Sequence, residues 1–132
     1  MNNLRLPLKK IWFEMTKAGI KTEDYREMTP YWCNRLIMLK GEKLSKERWR
    51  QCLITSGRLY MKLCSEPDSP INPITFKKFD YNIMTLGYPA STDTKRILRL
   101  EHKGIEIRTG NTEWGAEPGK LYFVVKHGKF LD

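Results

Sequence analysis

A segment near the start of the chain, AGIKTEDYRE at positions 18–27, concentrates side chains that can bind or transform a charged ligand. A lysine can bind a phosphate as a point charge, and an arginine can bind one through two parallel hydrogen bonds. A tyrosine can stack on a nucleobase, and a buried carboxylate can act as an acid or a base. The candidate residues are Lys21, Glu23, Asp24, Tyr25 and Arg26.

The same segment also has a purely structural explanation. If residues 21–26 are extended, Lys21, Glu23 and Tyr25 share one face and the intervening residues share the other. The charges can then pair with one another on a half-solvated strand and contribute little to stability. Taken alone, the segment favours this structural role over a ligand site.

A second candidate is the glycine-containing loop TGNTEWGAEPGK at positions 109–120. Its Trp114 can cover the hydrophobic core, which is the commoner fate of an indole. It can instead form the wall of a pocket, because a glycine such as Gly115 lets the backbone approach a ligand. The loop does not match a Walker motif or a dinucleotide fingerprint.

The composition favours phosphate-bearing partners without identifying one. The chain has 132 residues, a formal net charge of +9 and a pI near 9.6. A positive field of this size attracts nucleic acids and nucleotides, although many small proteins are basic without binding either. The length is that of one domain, and we predict a single domain over residues 1–132.

Cysteine and histidine usage argues against a metal site. Cys33, Cys52 and Cys64 show no C-x-x-C spacing, and His102 and His127 are far apart in sequence. A structural zinc site needs about four ligands in tight pairs, so we predict no metal and no cofactor. Three free thiols suit a reducing compartment. Because the chain shows neither a signal peptide nor an apolar run of about 20 residues, we predict a cytoplasmic protein without a membrane partner.

The elements that must position these residues are helices early in the chain and strands later. LRLPL alternates like a strand, with Pro7 confining it to a sheet edge. The next helix should end at Gly19 in a left-handed conformation. Its buried stripe is predicted to contain Leu8, Ile11, Trp12, Met15 and Ala18.

Two further helices are predicted before the strands begin. Thr29 and Pro30 should start one that runs to Leu39 and buries Trp32 and Leu36. Ser45 should cap another, which carries a basic face and runs to about residue 63. A proline-rich loop at 65–73 follows.

From residue 74 the pattern changes to strands. ITFKKFDYNIMTL indicates one or two strands, and RILRLEHKGIEIR indicates a strand pair or one strand with a bulge at Gly104. LYFVVKHGKFL indicates a buried final strand. Together the elements predict an α+β fold, with a small barrel or strongly curved sheet and helices on one side.

Several of these segments resemble the ASCH domain family, a branch of the PUA-like superfamily. The family pattern G-x-K-x-x-E/D-x-R directly follows its first helix. After LPLKKIWFEMTKA, this chain matches the pattern at Gly19, Lys21, Asp24 and Arg26.

Later segments extend the resemblance. LGYPA and GNTEWGAEPGKLYFVV are similar to parts of short ASCH proteins often carried by bacteriophages and prophages. The likeness covers residues 4–40 and 79–131, and residues 41–75 are therefore predicted to be a helical insertion. The resemblance implies a PUA-like β-barrel with helices packed near its mouth and a cationic cleft lined by the G-x-K-x-x-D-x-R segment.

Members of the family are thought to bind RNA or nucleotides in that cleft. The resemblance therefore favours ligand contacts for Lys21 and Arg26 over a purely structural role. We expect Tyr25 or Trp114 to stack a base, and an acidic neighbour to orient the cations. The predicted function is binding of RNA or of a modified nucleotide.

Two alternatives remain open. A related subfamily hydrolyses the amide of N4-acetylcytidine with a lysine, a threonine and a glutamate, and other members act as ribonucleases. Lys21 matches the lysine, but Asp24 stands at the position of the catalytic threonine, and the glutamate has no identified counterpart. An enzyme that uses Lys21 with Asp24 or Glu23 is one alternative. The other is a protein-interaction module that docks through the basic helix of the insertion.

Overall fold

A computed structural model describes residues 2–39, 41–55 and 74–131, without the side chains of residues 52–55 and 74. Within these ranges the chain forms seven strands and three α-helices. Short 3-10 turns precede β6 and β7, at Thr94–Arg96 and Thr112–Trp114. The bounds are β1 Asn3–Leu8, α1 Lys10–Lys17, β2 Glu23–Arg26, α2 Pro30–Leu36, β3 Ile37–Leu39, α3 Lys46–Thr55, β4 Ile74–Phe76, β5 Tyr81–Leu86, β6 Ile97–Thr109 and β7 Leu121–Phe130.

The main sheet has five strands in the order β1-β5-β6-β7-β2. Strands β1 and β5 are parallel, and the other pairs are antiparallel. This mixed sheet curls into a half-barrel, which confirms the predicted α+β class with a strongly curved sheet. Strands β3 and β4 form a separate two-stranded sheet. The helices pack into the same hydrophobic core as the main sheet, through Phe13, Cys33, Leu36 and Trp49.

The two edge strands of the main sheet are linked by a side chain. The Nη2 atom of Arg26 in β2 donates to the carbonyl oxygen of Pro7 in β1 over 2.7 Å. Pro7 lies on an edge strand, as predicted, where a residue without an N–H group costs no ladder hydrogen bond. Arg26 therefore spans the gap between the edges of the half-barrel.

Strand β6 is one long strand with an irregularity, which settles the alternative left open by its sequence. Its register against β7 shifts on both sides of His102, before Gly104. Gly104 has φ +108°, a conformation that favours glycine. A bulge disrupts the ladder of backbone hydrogen bonds locally. At this place a side chain adds a hydrogen bond, because the amide of Asn82 donates to the carbonyl oxygen of Lys126 over 3.4 Å.

The stripe predicted for helix α1 is only partly buried. Leu8 is buried at the end of β1 and Trp12 packs partly against the core, whereas Ile11 and Ala18 are exposed. The fully buried residues of the helix are instead Phe13 and Thr16. An eight-residue helix has little more than two turns, so its apolar residues do not define a unique stripe. Thr16 is accommodated because its hydroxyl donates to the carbonyl oxygen of Trp12 over 2.8 Å. The left-handed Gly19 after the helix is confirmed, with φ +77°.

Helix α2 begins as predicted and ends earlier. The Thr29 hydroxyl accepts from the backbone N–H of Trp32, and Pro30 is the first helical residue. The helix ends at Leu36 instead of Leu39, because Ile37–Leu39 is extended and pairs with β4. A strand partner from later in the chain thus overrides local helical preference.

Helix α3 starts after Ser45, whose hydroxyl accepts from the backbone N–H of Arg48 over 3.2 Å. Trp49 on this helix is fully buried in the main core, and its neighbours Arg48 and Arg50 are exposed. The predicted continuation to about residue 63 and the proline-rich loop at 65–73 lie outside the described residues. No helix in the described part of the chain has the length and apolar character needed to cross a bilayer.

Candidate functional site

A cleft of about 390 Å³ lies where β2 meets α1 and the loop before β7. This volume is within the range of cavities that bind small ligands. It brings together the two segments that the sequence singled out separately. We call it the Lys21 cleft, and its lining residues are Lys9, Trp12, Lys21, Asp24, Tyr25, Glu27, Trp114, Gly115, Glu117 and Tyr122.

Lys21 is positioned by the end of α1. Its backbone N–H and that of Ile20 both donate to the carbonyl oxygen of Met15, at 3.1 and 3.0 Å. The residue is only 2% exposed, although it lines the cleft. Its Nζ donates to the carbonyl oxygen of Glu23 over 2.6 Å and to Asp24 Oδ1 over 3.3 Å.

Burial has a direct consequence for the charge of this lysine. Removing an ammonium from water disfavours its charged form, and burial lowers the pKa of Lys21 even though Asp24 acts in the opposite direction. The Nζ atom also lies 5.4 Å from the centre of the Tyr25 ring. The contact of Lys21 with Asp24, which alternation would place on the opposite face, shows that the predicted alternation does not extend to Lys21, two residues before β2.

Asp24 is the shared anionic partner of two cations. It is 4% exposed and pairs with Val125 of β7 in the ladder. Besides Lys21, it accepts from Arg26 Nε over 2.6 Å. A buried charge is tolerated only when it is paired and hydrogen-bonded, and Asp24 meets this condition through both partners.

The structure places Arg26 beside the Lys21 cleft and not in its lining. Its Nε binds Asp24 and its Nη2 binds the Pro7 carbonyl, while the guanidinium stacks over Trp32 at 4.8 Å. These contacts give Arg26 a positioning role. The ligand contact expected from the sequence stays a prediction.

Glu23 also lies outside the lining of the cleft, although it shares a face of β2 with Tyr25. Arg108 binds it through two hydrogen bonds of 2.6 and 2.9 Å, from Nη2 and Nη1. Burial would raise the pKa of Glu23, but the hydrogen bonds from Arg108 and Tyr25 lower it below its ordinary value. Sequence reasoning missed Arg108, because no local signal pairs residues 85 positions apart.

Tyr25 is held rigidly in the wall of the cleft. Its hydroxyl donates to Glu23 Oε2 over 2.7 Å and accepts from the backbone N–H of Asn111 over 2.8 Å. Burial raises the pKa of Tyr25 to about 12, so the phenol stays neutral near pH 7. Its ring lies 5.7 Å from that of Tyr122.

The remaining wall of the cleft is aromatic. Trp114 lies in the turn Thr112–Trp114, and Trp12 projects from α1. Trp12 was assigned to the core stripe of its helix and was missed as a site residue. Gly115 explains how the two segments approach, because a Cβ atom at this position would lie 2.8 Å from the Trp12 ring.

Replacing Gly115 with alanine should therefore disturb the cleft directly. Gly115 has φ +99° and contacts the Trp12 ring, whereas Gly119 has φ +75° and open space around it. Both substitutions carry backbone strain of about 1–2 kcal/mol. Only Gly115→Ala adds overpacking of about 1–3 kcal/mol. Urea unfolding should show this difference, and equal losses for the two variants would contradict the packing described here.

The described residues contain no group of three His, Cys, Asp or Glu side chains that could hold a metal ion. Cys33 is fully buried, and Cys64 and the side chain of Cys52 lie outside the described residues. The distance between the two histidines in sequence suggested that they lie apart, but the structure brings them together. His102 and His127 are cross-strand partners in β6 and β7.

No protein-family model, curated protein or solved structure matches the chain. The chemistry of the Lys21 cleft and the sequence resemblance are therefore the grounds for a functional proposal.

Proposed function

We propose that this protein binds RNA or a modified nucleotide in the Lys21 cleft. The observation that carries the proposal is a buried lysine, paired with Asp24, in the lining of a cleft with four aromatic side chains. Aromatic rings stack on bases of any sequence, and each stacked base contributes about 1–3 kcal/mol. An ammonium beside them supplies the complementary contact to a phosphate or a base carbonyl.

The hydrogen-bond inventory of Lys21 leaves room for a ligand. An ammonium has three donors, of which two point to Glu23 and Asp24. No hydrogen bond from the described part of the chain uses the third, so it remains for a phosphate or carbonyl oxygen of the ligand. Glu27 and Glu117 also line the cleft and offer acceptors for amino groups on a base edge, while Lys9 adds a second cation.

The resemblance to the ASCH family supports the same proposal. In this interpretation the half-barrel is PUA-like, and Lys21, Asp24 and Arg26 belong to the family pattern. A phage or prophage origin remains a proposal on this basis, and location in the cytoplasm remains a proposal from the cysteine usage and the N-terminal sequence.

The test is a thermal-shift and mass-spectrometric screen of nucleosides, modified nucleosides and short RNAs against the wild type and Lys21→Met. Methionine keeps most of the volume of the buried side chain and removes its charge. We expect a stabilising ligand whose affinity falls steeply with salt and is lost in Lys21→Met. Lys10→Met is the matched control, because Lys10 is an exposed lysine outside the cleft. Equal binding by wild type and Lys21→Met would contradict the proposal.

Catalysis by Lys21 is the second candidate, and the direction of its pKa favours it. Burial lowers the pKa of Lys21, which increases the neutral fraction able to act as a base or nucleophile. Asp24 lies 3.3 Å from its Nζ. The same screen separates the two functions, since a ligand recovered with a changed mass, such as deacetylated cytidine from N4-acetylcytidine, identifies an amidohydrolase.

A further inference from the structure

A second cavity, of about 470 Å³, lies at the irregular part of β6 and shares no lining residue with the Lys21 cleft. Its wall contains Lys77, Lys78, Lys103 and Lys126 but a single acidic residue, Glu106. Lys77 Nζ donates to the carbonyl oxygen of Asn34 over 2.6 Å, which leaves the ammonium groups of Lys78, Lys103 and Lys126 to attract an anion. We call it the His102 cavity, after the histidine that also lines it.

Asn82 fixes the orientation of His102. Asn82 is fully buried, and its Nδ2 donates to the carbonyl oxygen of Lys126, so its Oδ1 is the atom that faces the imidazole. Oδ1 can only accept, and it lies 2.8 Å from His102 Nδ1. The proton of a neutral imidazole must therefore be on Nδ1, which leaves the lone pair on Nε2.

The Nε2 atom of His102 is available to a ligand. No hydrogen bond from the described parts of the chain reaches it, and the residue is half-buried in the cavity wall. Burial lowers the pKa of His102, so the imidazole is neutral near pH 7. The edge of the ring packs against Phe79, with the ring centres 5.4 Å apart.

The lysines keep donors for a phosphate. Lys78 and Lys103 are exposed, and Lys103 makes a 3.5 Å ion pair with Glu101. Lys126 is bound to Glu106 over 2.9 Å, in a partly exposed pair. Ion pairs of this kind contribute little to stability, so a phosphate can replace the carboxylate at small cost.

An acceptor atom beside phosphate-binding lysines specifies the ligand. A neutral imidazole nitrogen does not attract a phosphate oxygen, which has only lone pairs to offer, but it accepts from a hydroxyl. In RNA the 2′-hydroxyl is next to the phosphodiester, and it is the group that distinguishes RNA from DNA. We propose that the His102 cavity is a separate site for a ribose phosphate group of RNA, with the lysines binding the phosphate and His102 Nε2 accepting from the 2′-hydroxyl.

The proposal goes beyond the function proposed for the Lys21 cleft and is tested separately from it. The probes are the dinucleoside monophosphates UpU and dUpdU, which differ only in the 2′-hydroxyls. Imidazole and indole signals are followed by NMR during the titrations. We expect UpU to shift the Nε2 signal of His102 and to bind about two- to tenfold more tightly than dUpdU, the range of one net hydrogen bond.

Variants assign the contacts. In His102→Phe, which keeps the ring against Phe79, the preference for UpU should disappear. Lys78→Ser should weaken binding of both probes by about three- to tenfold, whereas the exposed Lys95→Ser should leave it unchanged. Lys78 and Lys95 are both exposed, so a folding defect is not expected in either variant.

The outcomes separate the two sites. A His102 shift that persists in Lys21→Met supports an independent ribose phosphate site. Shifts confined to the Trp114 indole and lost in Lys21→Met would overturn this proposal and leave the function of the Lys21 cleft intact. Equal affinity for UpU and dUpdU in the wild type would also overturn it.

Discussion

Replacing Asp24 with alanine should lower the free energy of unfolding by about 3–5 kcal/mol, the usual cost of breaking a buried ion pair from one side. Asp24 is the hydrogen-bonded counterion of Lys21, and both side chains are almost completely buried. Without it, the carbonyl oxygen of Glu23 is the one hydrogen-bond acceptor that Lys21 keeps among the described residues, and Arg26 loses its 2.6 Å contact. Urea unfolding near pH 7 measures the loss.

Two further variants make the result specific to the charge. Glu27→Ala removes an exposed carboxylate from the same segment and should change stability little. The double variant Lys21→Met, Asp24→Leu removes both charges and should be more stable than Asp24→Ala, because no buried ammonium is left unpaired. If Asp24→Ala unfolded like the wild type, the buried pair described here would be wrong.

Replacing Trp49 with alanine should also cost about 3–5 kcal/mol, the range for removing a large buried aromatic side chain. Trp49 is fully buried in the main hydrophobic core, together with Leu44. It lies in the 41–75 segment, which the sequence predicts to be an insertion. A large loss would show that this segment stabilises the whole domain, whereas a negligible loss would show a loosely attached insertion.

The polar edge of Trp49 provides a graded control. Its Nε1–H is buried without a hydrogen-bond partner in the described part of the chain. Trp49→Phe fills most of the same space and removes this unsatisfied donor, so it should cost much less than Trp49→Ala. Arg50→Ala changes an exposed position on the same helix and should have little effect. Chemical denaturation of the three variants compares them directly.

The features that the sequence predicted correctly have local causes. The left-handed Gly19, the capping residues Thr29 and Ser45 and the edge position of Pro7 each follow from the residue and its immediate neighbours. The extended conformation of β2, the segment before α2, also has a local cause. Alternation and turn residues also predicted the strands from Ile74 onwards.

The features that were missed depend on residues far apart in the chain. Helix α2 stops at Leu36 because β4 pairs with the three residues that follow. Glu23 is neutralised by Arg108, and Trp12 lines the cleft because Gly115 packs against its ring. The periodicity of a sequence describes one helix or strand at a time, so it cannot predict which distant residues will contact that element.

The order of strands in the sheet has a consequence for how the site is assembled during folding. Strand β2 pairs with β7, and His127 contacts Lys21 from 106 positions further along the chain. Strand β1 similarly cannot pair before β5 has been made, since the contacts between these two strands join residues 78 positions apart. Loop closure over such distances slows folding, and domains emerge from the ribosome with the N-terminal part first. Lys21 and Asp24 are therefore synthesised before their partners in β7, so no ligand can bind a complete cleft before β7 has been made.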